Sequence, residues 1–242
     1  MCYQTALTKS ETQIEEAFQK TFKIPGEFEP YYHYSGFTHP NLQIIKMDDP
    51  DLIFPASWGY LPSWASNDIP AFRKKYNTLN IRYESLFSGL SKEAGLTNRC
   101  LIIADGFFEP HKVNNISIPN FCDIPSETFP DGRDLFLFGG IYSQLEKDSD
   151  RYSCAILTMD ANPFFAEIHN VKKRQPFVVD EGLYAEWFNT SLKKENVTEL
   201  IKNGFTSKEF TAHPVTRDLY KPGIYTNKKS ILKKETPDGF LF

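Results

Sequence analysis

The stretch Arg99-Cys100-Leu101-Ile102-Ile103-Ala104-Asp105-Gly106-Phe107-Phe108-Glu109 carries the strongest structural signal in the chain. An apolar run enters Asp105-Gly106, and an aromatic pair then delivers a carboxylate. Such β-branched and aromatic content reads as a strand. Asp-Gly in its middle predicts a bulge or sharp bend, because glycine tolerates backbone angles that other residues avoid. A carboxylate just past a buried aromatic pair is partly desolvated, which raises its pKa and suits it to proton transfer. A strand-end Glu pointing into water would read the same way in this segment alone.

Outward from that strand, Leu135–Tyr142 and Tyr152–Met159 read as a hairpin across a charged loop. Asn41–Met47 and Leu52–Ser57 read as a strand pair turned at Asp48-Asp49-Pro50-Asp51. Residues 110–133, rich in Pro, Asn and Ser, read as a long excursion. Helices are expected over 10–23, 180–192 and 196–202. The first is capped by Ser10 with Gln13 and carries Ile14, Phe18 and Phe22 on one face; the last is capped by Asn196 with Glu199. One domain over 1–224 is expected, with 225–242 as a polar, Lys-rich, loosely held tail. There is no internal repeat, P-loop or Rossmann glycine pattern.

The 242 residues are 40% hydrophobic and 15% aromatic, ample for a core. A net charge of −4 means that an anionic partner must be met by a local basic patch. Cysteines 2, 100, 122 and 154 show neither CxxC nor regular spacing, so neither a zinc site nor a disulfide framework is supported. No signal peptide and no membrane-length apolar run is read, so a cytoplasmic protein is expected.

Several residues carry chemistry. If Met1 is removed, Cys2 presents an α-amine and a thiol on adjacent carbons, with ordinary pKa values of about 7.7–8.0 and about 8.5. Ser57-Trp58-Gly59-Tyr60-Leu61-Pro62-Ser63-Trp64-Ala65 cannot form a regular helix or central strand. Its Trp58 and Trp64 could stack on unpaired bases or cap the core. Asn80 and Arg82 alternate, so on an extended segment they share a face and could orient a polar ligand and bind phosphate. A solvated strand edge would look the same. His169 lies beside Lys172, Lys173 and Arg174, which suits an acid near a phosphate backbone and equally a polar loop. His33 and His39 sit in an aromatic loop as surface histidines.

Taken together these segments resemble the SOS-response-associated peptidase family, the abasic-site DNA–protein crosslink proteins. The matches are Met1-Cys2, Phe37…Pro40, Trp58-Gly59-Tyr60-x-Pro62-x-Trp64, Asn80-x-Arg82-x-Glu84, Arg99-Cys100…Glu109, Ile168-His169…Arg174-x-Pro176 and His213-Pro214-Val215. They keep family order from residue 2 to about 215. There are departures. Tyr3-Gln4 stands where the family usually has Gly-Arg, Pro110-His111 where an aromatic commonly follows the Glu, and Ala65 where some members have a second adjacent tryptophan. The link from His169 to Arg174 is lengthened, which leaves open which of Lys172, Lys173 and Arg174 takes the family arginine's place.

The resemblance implies one α+β domain, with a mostly antiparallel, barrel-like β-core and flanking helices. It implies a groove for single-stranded DNA containing abasic sites, with the mature Cys2 at its floor, in a monomer that joins the nucleoid when bound to DNA. Cys2, Asn80, Glu109 and His169 would be catalytic. Pro40, Trp58, Trp64, Arg82, Lys172, Lys173, Arg174 and His213 would contact DNA. The implied chemistry is a thiazolidine crosslink to the abasic aldehyde, with lyase and autoproteolytic activity, and no metal or organic cofactor. Two rivals remain. Class II glutamine amidotransferases also begin Met-Cys, and ammonia release from glutamine would decide for them. A non-covalent reader of single-stranded or modified DNA would keep binding after loss of Cys2.

Overall fold

A computed structural model describes residues 2–147 and 149–235. The chain opens with β1 (Gln4–Leu7), α1 (Glu11–Phe18), β2 (Thr21–Phe22), β3 (Tyr31–Ser35), β4 (Asn41–Lys46) and β5 (Asp49–Trp58). It continues with α2 (Ile69–Lys75), β6 (Asn80–Arg82), α3 (Ala94–Thr97), β7 (Arg99–Ala104), β8 (Gly106–Val113) and β9 (Ile116–Asp123). The last elements are β10 (Phe136–Gln144), β11 (Tyr152–Asp160), α4 (Pro163–Ile168), β12 (Arg174–Pro176), α5 (Tyr184–Trp187), α6 (Lys194–Asn203) and β13 (Thr211–Pro214).

The strands form two sheets, one in the order β12-β11-β10-β7-β4-β5-β2 and the other β13-β9-β8-β1-β3. In the larger sheet β11 also pairs with β5, in parallel through Tyr152↔Ala56 to Cys154↔Trp58, and so closes β5-β4-β7-β10-β11 into a ring. The other ring pairings are antiparallel. The α+β, barrel-like expectation therefore holds. Closure pairs every strand of the ring on both sides, which leaves the short β12 and β2 as the ends of the larger sheet.

The chain changes sheets at Asp105, where the expected bend falls. β7 belongs to the ring, whereas β8 pairs with β1 through Thr5↔Phe107 and Ala6↔Gly106 in the small sheet. The bend is held by charge. The Asp105 carboxylate, fully buried, accepts from Thr8 N at 3.1 Å and from Lys9 Nζ at 3.3 Å, and Arg133 Nη2 lies 3.4 Å away. Asp131 shares both cations. Gly106 is required for a reason other than backbone freedom: a Cβ there would lie 2.2 Å from Phe121 Cζ.

Past the bend, alternation sends successive β8 side chains to opposite faces. Phe107 enters the main core. Phe108 packs with Ala6, Phe121, Val215, Leu219 and Ile231 in a second cluster, and Glu109 returns to the side of Phe107 with no exposed surface.

Five expectations are corrected. Residues 110–123 are not an excursion: β8 and β9 form a hairpin turned at Asn114 (φ 45°) and Asn115 (φ 65°), the left-handed pair that a tight hairpin turn needs. Its prolines, Pro110 and Pro119, sit opposite one another and masked the strand pattern. Helix α1 has its Ser10–Gln13 capping box but stops at Phe18, because Gln19 turns left-handed (φ 54°) and Phe22 joins a strand. The 180–192 segment holds only a 3-10 turn and the single-turn α5, and Asn196 lies within α6, not at its cap. Residues 225–235 pack against the small sheet: Asn227 Oδ1 accepts from Tyr32 N at 2.8 Å, and Ile231 is fully buried. Residues 236–242 of the expected tail lie outside the described residues.

Candidate active site

Cys2 leads into β1, and its register carries it along β8 toward Glu109. The Cys2 carbonyl accepts from Asn80 Nδ2 at 2.8 Å. Asn80 opens β6, which lies parallel to β11 at the rim of the ring, with Ile156 opposite Asn80. The amide thus ties the N-terminal segment of the small sheet to the large one. Cys2 itself is completely buried, with Sγ 3.6 Å from the Gln4 carbonyl.

His169 ends α4, whose first turn is capped by the Asn162 side chain. The segment after it forms a tight turn: Lys173 N donates to the His169 carbonyl at 2.9 Å, and Lys173 is left-handed at φ 48°. This returns the Arg174 carbonyl to the imidazole, where it accepts from Nδ1 at 2.9 Å. A carbonyl only accepts, so Nδ1 bears the proton and Nε2 is the basic nitrogen of the neutral ring. Glu109 Oε2 stands 3.6 Å from the same Nδ1.

Burial sets the protonation states. It pushes Glu109 up to about 7 and pulls His169 down to about 4. Burial and then the Glu109 carboxyl push the Cys2 thiol far above its ordinary range. At neutral pH the site therefore holds a carboxyl divided between acid and base forms, a neutral imidazole and a protonated thiol. A group with its pKa near the working pH gives and takes protons with equal ease. The buried thiol of Cys122 is raised by the same burial and by Glu109.

Beside these residues opens a cleft of about 620 Å³, lined by Tyr3, Gln4, Phe37, Phe108, Pro110, Lys112, Ser117, His169, Val171, Lys172, Arg217 and Tyr220. Cys2 and Glu109, both fully buried, do not line it; their chain neighbours Tyr3 and Pro110, and His169, do. Among the described residues no cluster of His, Cys, Asp and Glu could hold a metal, and no helix is long and apolar enough to cross a membrane.

Residues 1–222 match the family described as SOS response associated peptidase (SRAP). The chain belongs to that family. It is 24% identical to the abasic site processing protein YoaM of Bacillus subtilis, over 92% of this chain and 94% of YoaM. It is 28% identical to the abasic site processing protein HMCES of Rattus norvegicus, over 68% of this chain but only 52% of HMCES. The fold matches a crystal structure of a Bacteroides thetaiotaomicron protein with a TM-score of 0.81 at 23% identity, covering 97% of this chain and 100% of that one.

In this SRAP-family chain the four residues expected to be catalytic come together, but those expected to contact DNA divide. Trp58 is fully buried with Nε1 donating to the Leu79 carbonyl at 2.9 Å, so it is a core residue with no face to offer. Trp64 is 59% exposed, its ring edge-on to Phe72. Arg82 and Lys173 are exposed, and Lys172 lines the cleft. Pro40 borders a separate hollow with Asn41 and Gln43. His213 accepts no place in the cleft: its Nε2 bonds the Leu232 carbonyl at 2.9 Å and its ring meets Phe121.

Arg174 is the clearest correction. It is 3% exposed, paired with both oxygens of Glu84 and with Asp160 at 2.8 Å, and donates to the Thr158 carbonyl at 2.8 Å. With those acceptors engaged it is an internal clamp, and Lys172 and Lys173 are left as the free-standing cations of the loop. Sequence reasoning gave no site role to Tyr3, Phe37, Lys112, Arg217 and Tyr220, which line the cleft. Tyr3 beside Cys2 and Phe37 in the Phe37…Pro40 match carried a signal; the others come from distant segments that the fold brings together.

Proposed function

We propose that this protein processes abasic sites in single-stranded DNA by forming a covalent thiazolidine through a mature N-terminal Cys2. The observation that carries the reading is the convergence at Cys2: its carbonyl is held by Asn80 at 2.8 Å, next to a buried Glu109 raised to about 7.

While Met1 is attached, the Cys2 nitrogen is an amide and no nucleophile. After its removal the α-amine adds to the C1′ aldehyde of the ring-opened sugar and water leaves, giving an imine. The Cys2 S–H then adds across that C=N bond: sulfur bonds carbon, the proton goes to nitrogen, and a five-membered ring closes. Holding the thiol on the same residue makes closure intramolecular, which is worth a large effective concentration. Glu109 takes a proton from the attacking amine and returns one to the departing water. The raised thiol pKa keeps sulfur protonated until the imine has formed, which favours amine attack first. His169, neutral with Nε2 basic, serves ring opening of the sugar and, from the imine, removal of the C2′ proton that expels the 3′ phosphate as a lyase would. Self-release by reversal, and peptide cleavage at the same cysteine, use the same groups.

The test is intact mass after mixing the Met1-free protein with a single strand bearing one abasic site. A protein–DNA adduct lighter than the sum of its parts by one water is expected; the absence of any adduct overturns the reading.

A further inference from the structure

We propose that the outer face of β4 and β5 binds arginine with a free carboxylate, its guanidinium in an acidic, aromatic hollow and its carboxylate on Arg73 in the hollow beside it. Neither hollow shares a lining residue with the cleft at the Cys2 site, and the proposal does not depend on the chemistry there.

On these strands Asn41 pairs with Ser57 and Gln43 with Pro55. Alternation puts all four on one face, while Leu42, Ile44, Phe54 and Ala56 enter the core. A hollow of about 310 Å³ opens over Gln43, walled by Phe22, Phe28 and Tyr34 and rimmed by Glu27 and Glu29. A second hollow of about 310 Å³ opens over Ser57 and holds Arg73. Asn41 and Pro55 line both, so the two adjoin.

Each hollow carries polar groups that the protein leaves unanswered. Among the described residues neither Glu27 nor Glu29 makes an ion pair or a side-chain hydrogen bond. Lys23, close by in sequence, is turned to Asp150 at 4.0 Å. Gln43 is only 5% exposed, yet its side-chain amide makes no hydrogen bond among the described residues, a costly arrangement unless a ligand supplies the partner. The walls present flat faces: Phe22 stacks with Phe28 at 5.5 Å and Tyr34 with Tyr31 at 3.8 Å. Arg73 is the converse. Its Nη2 donates to Ser57 Oγ at 2.7 Å, but its Nε is buried without a partner, and among the described residues no carboxylate pairs with it.

This charge pattern selects the ligand. Glu27 and Glu29 would repel a phosphate, and a simple amine would leave Arg73 unanswered. A planar guanidinium stacks on aromatic faces and offers donors in a fixed fork to two carboxylates and an amide oxygen. A carboxylate in turn pairs with Arg73. Successive same-face pairs stand about 7 Å apart along a strand, so the ligand's opposite charges must lie several bonds apart, as arginine's do.

Calorimetric titration of the full chain with L-arginine should show one saturable site. Agmatine, which lacks the carboxylate, and citrulline, which lacks the positive charge, should each bind about tenfold more weakly, the loss expected for a charge-assisted hydrogen bond. The double variant Glu27→Gln, Glu29→Gln, at exposed positions, should lose arginine to a similar degree. Arg73→Gln should lose arginine but bind agmatine as wild type does, which also shows that it is folded. Nα-acetyl-L-arginine separates the sources: affinity at or above that of arginine assigns a peptide ending in arginine, and weaker binding assigns the free amino acid. Binding of neither form, agmatine or citrulline binding as well as arginine, a double variant with full affinity, or displacement of arginine by an intact single strand overturns the proposal.

Discussion

The Nδ1–H of His169 donates to the backbone carbonyl of Arg174 across 2.9 Å. The residue that fixes the imidazole tautomer is thus the one whose guanidinium is locked to Glu84, Asp160 and Thr158. A planar guanidinium satisfies several acceptors at once, which an ammonium cannot do in the same geometry.

Arg174→Lys should therefore act through His169. Capture of abasic strands is expected to slow about tenfold, as when a catalytic group is misoriented, with affinity for intact single strands unchanged. Nitrogen NMR of His169 should show the Nδ1–H tautomer giving way to a mixture. Were Arg174 a phosphate ligand, affinity would fall instead and the tautomer would stay.

Cys2→Ala and Cys2→Ser separate the two bond-forming steps. Both keep an α-amine after Met1 removal and should give an adduct that borohydride traps but heating destroys. Wild type should give a heat-stable adduct without reductant. A heat-stable, unreduced adduct from Cys2→Ala would transfer the bond to another residue.

Glu109→Gln should slow capture by about 10²–10⁴, the usual contribution of a positioned acid–base group. It should also change stability against pH. Burial raises the folded pKa to about 7, above an unfolded value of about 4.3. Its favourable contribution is thus complete below the unfolded pKa and is lost as pH rises through about 7. His169, lowered to about 4, runs the other way: its contribution is present above an unfolded value of about 6.5 and lost as pH falls. Urea midpoints should fall from pH 6 to pH 8 in wild type, where Glu109 outweighs His169, and rise in Glu109→Gln, where the opposing contribution of His169 alone remains. Parallel curves would mean that Glu109 does not titrate there.

Binding to intact single strands should weaken with salt, because each phosphate contact releases counterions. Lys172→Ala and Arg217→Ala should each lower the slope of log affinity against log salt by about 0.7. A slope unmoved by both substitutions would take the backbone away from the cleft.

Gly106→Ala should destabilise the fold by about 1–3 kcal/mol, the range for overpacking a filled core. The new Cβ would meet Phe121, whose ring atoms stand 2.2 and 2.4 Å from it. Phe121→Leu in the same chain should recover part of the loss. A neutral Gly106→Ala in urea denaturation would show that β9 shifts freely.

What could be read in the order of residues is what depends on neighbours in sequence. The strand into Asp105-Gly106, the hairpin of β10 and β11, the pair β4 and β5, and the Ser10 cap follow from local pattern. So does the proximity of Glu109 to a buried aromatic pair, because alternation along β8 needs no other segment. Matching motifs also brought Cys2, Asn80, Glu109 and His169 into one set before their contacts were visible. Only the folded chain decided which cations face outward. Arg174 reads like Lys172 in a basic run, yet it is buried because Glu84, from the 3-10 turn after β6, and Asp160, from the end of β11, meet it across 90 and 14 positions of chain. Trp58 and Trp64 read alike, and one lies in the core while the other stands 59% exposed. The cleft lay beyond sequence altogether, since Tyr3, Phe37, Lys112, Lys172 and Arg217 meet only when the small sheet closes on the ring. Local propensity fixes strands and turns within a few residues; burial, and the charge pairing that permits it, is settled between segments far apart in the chain.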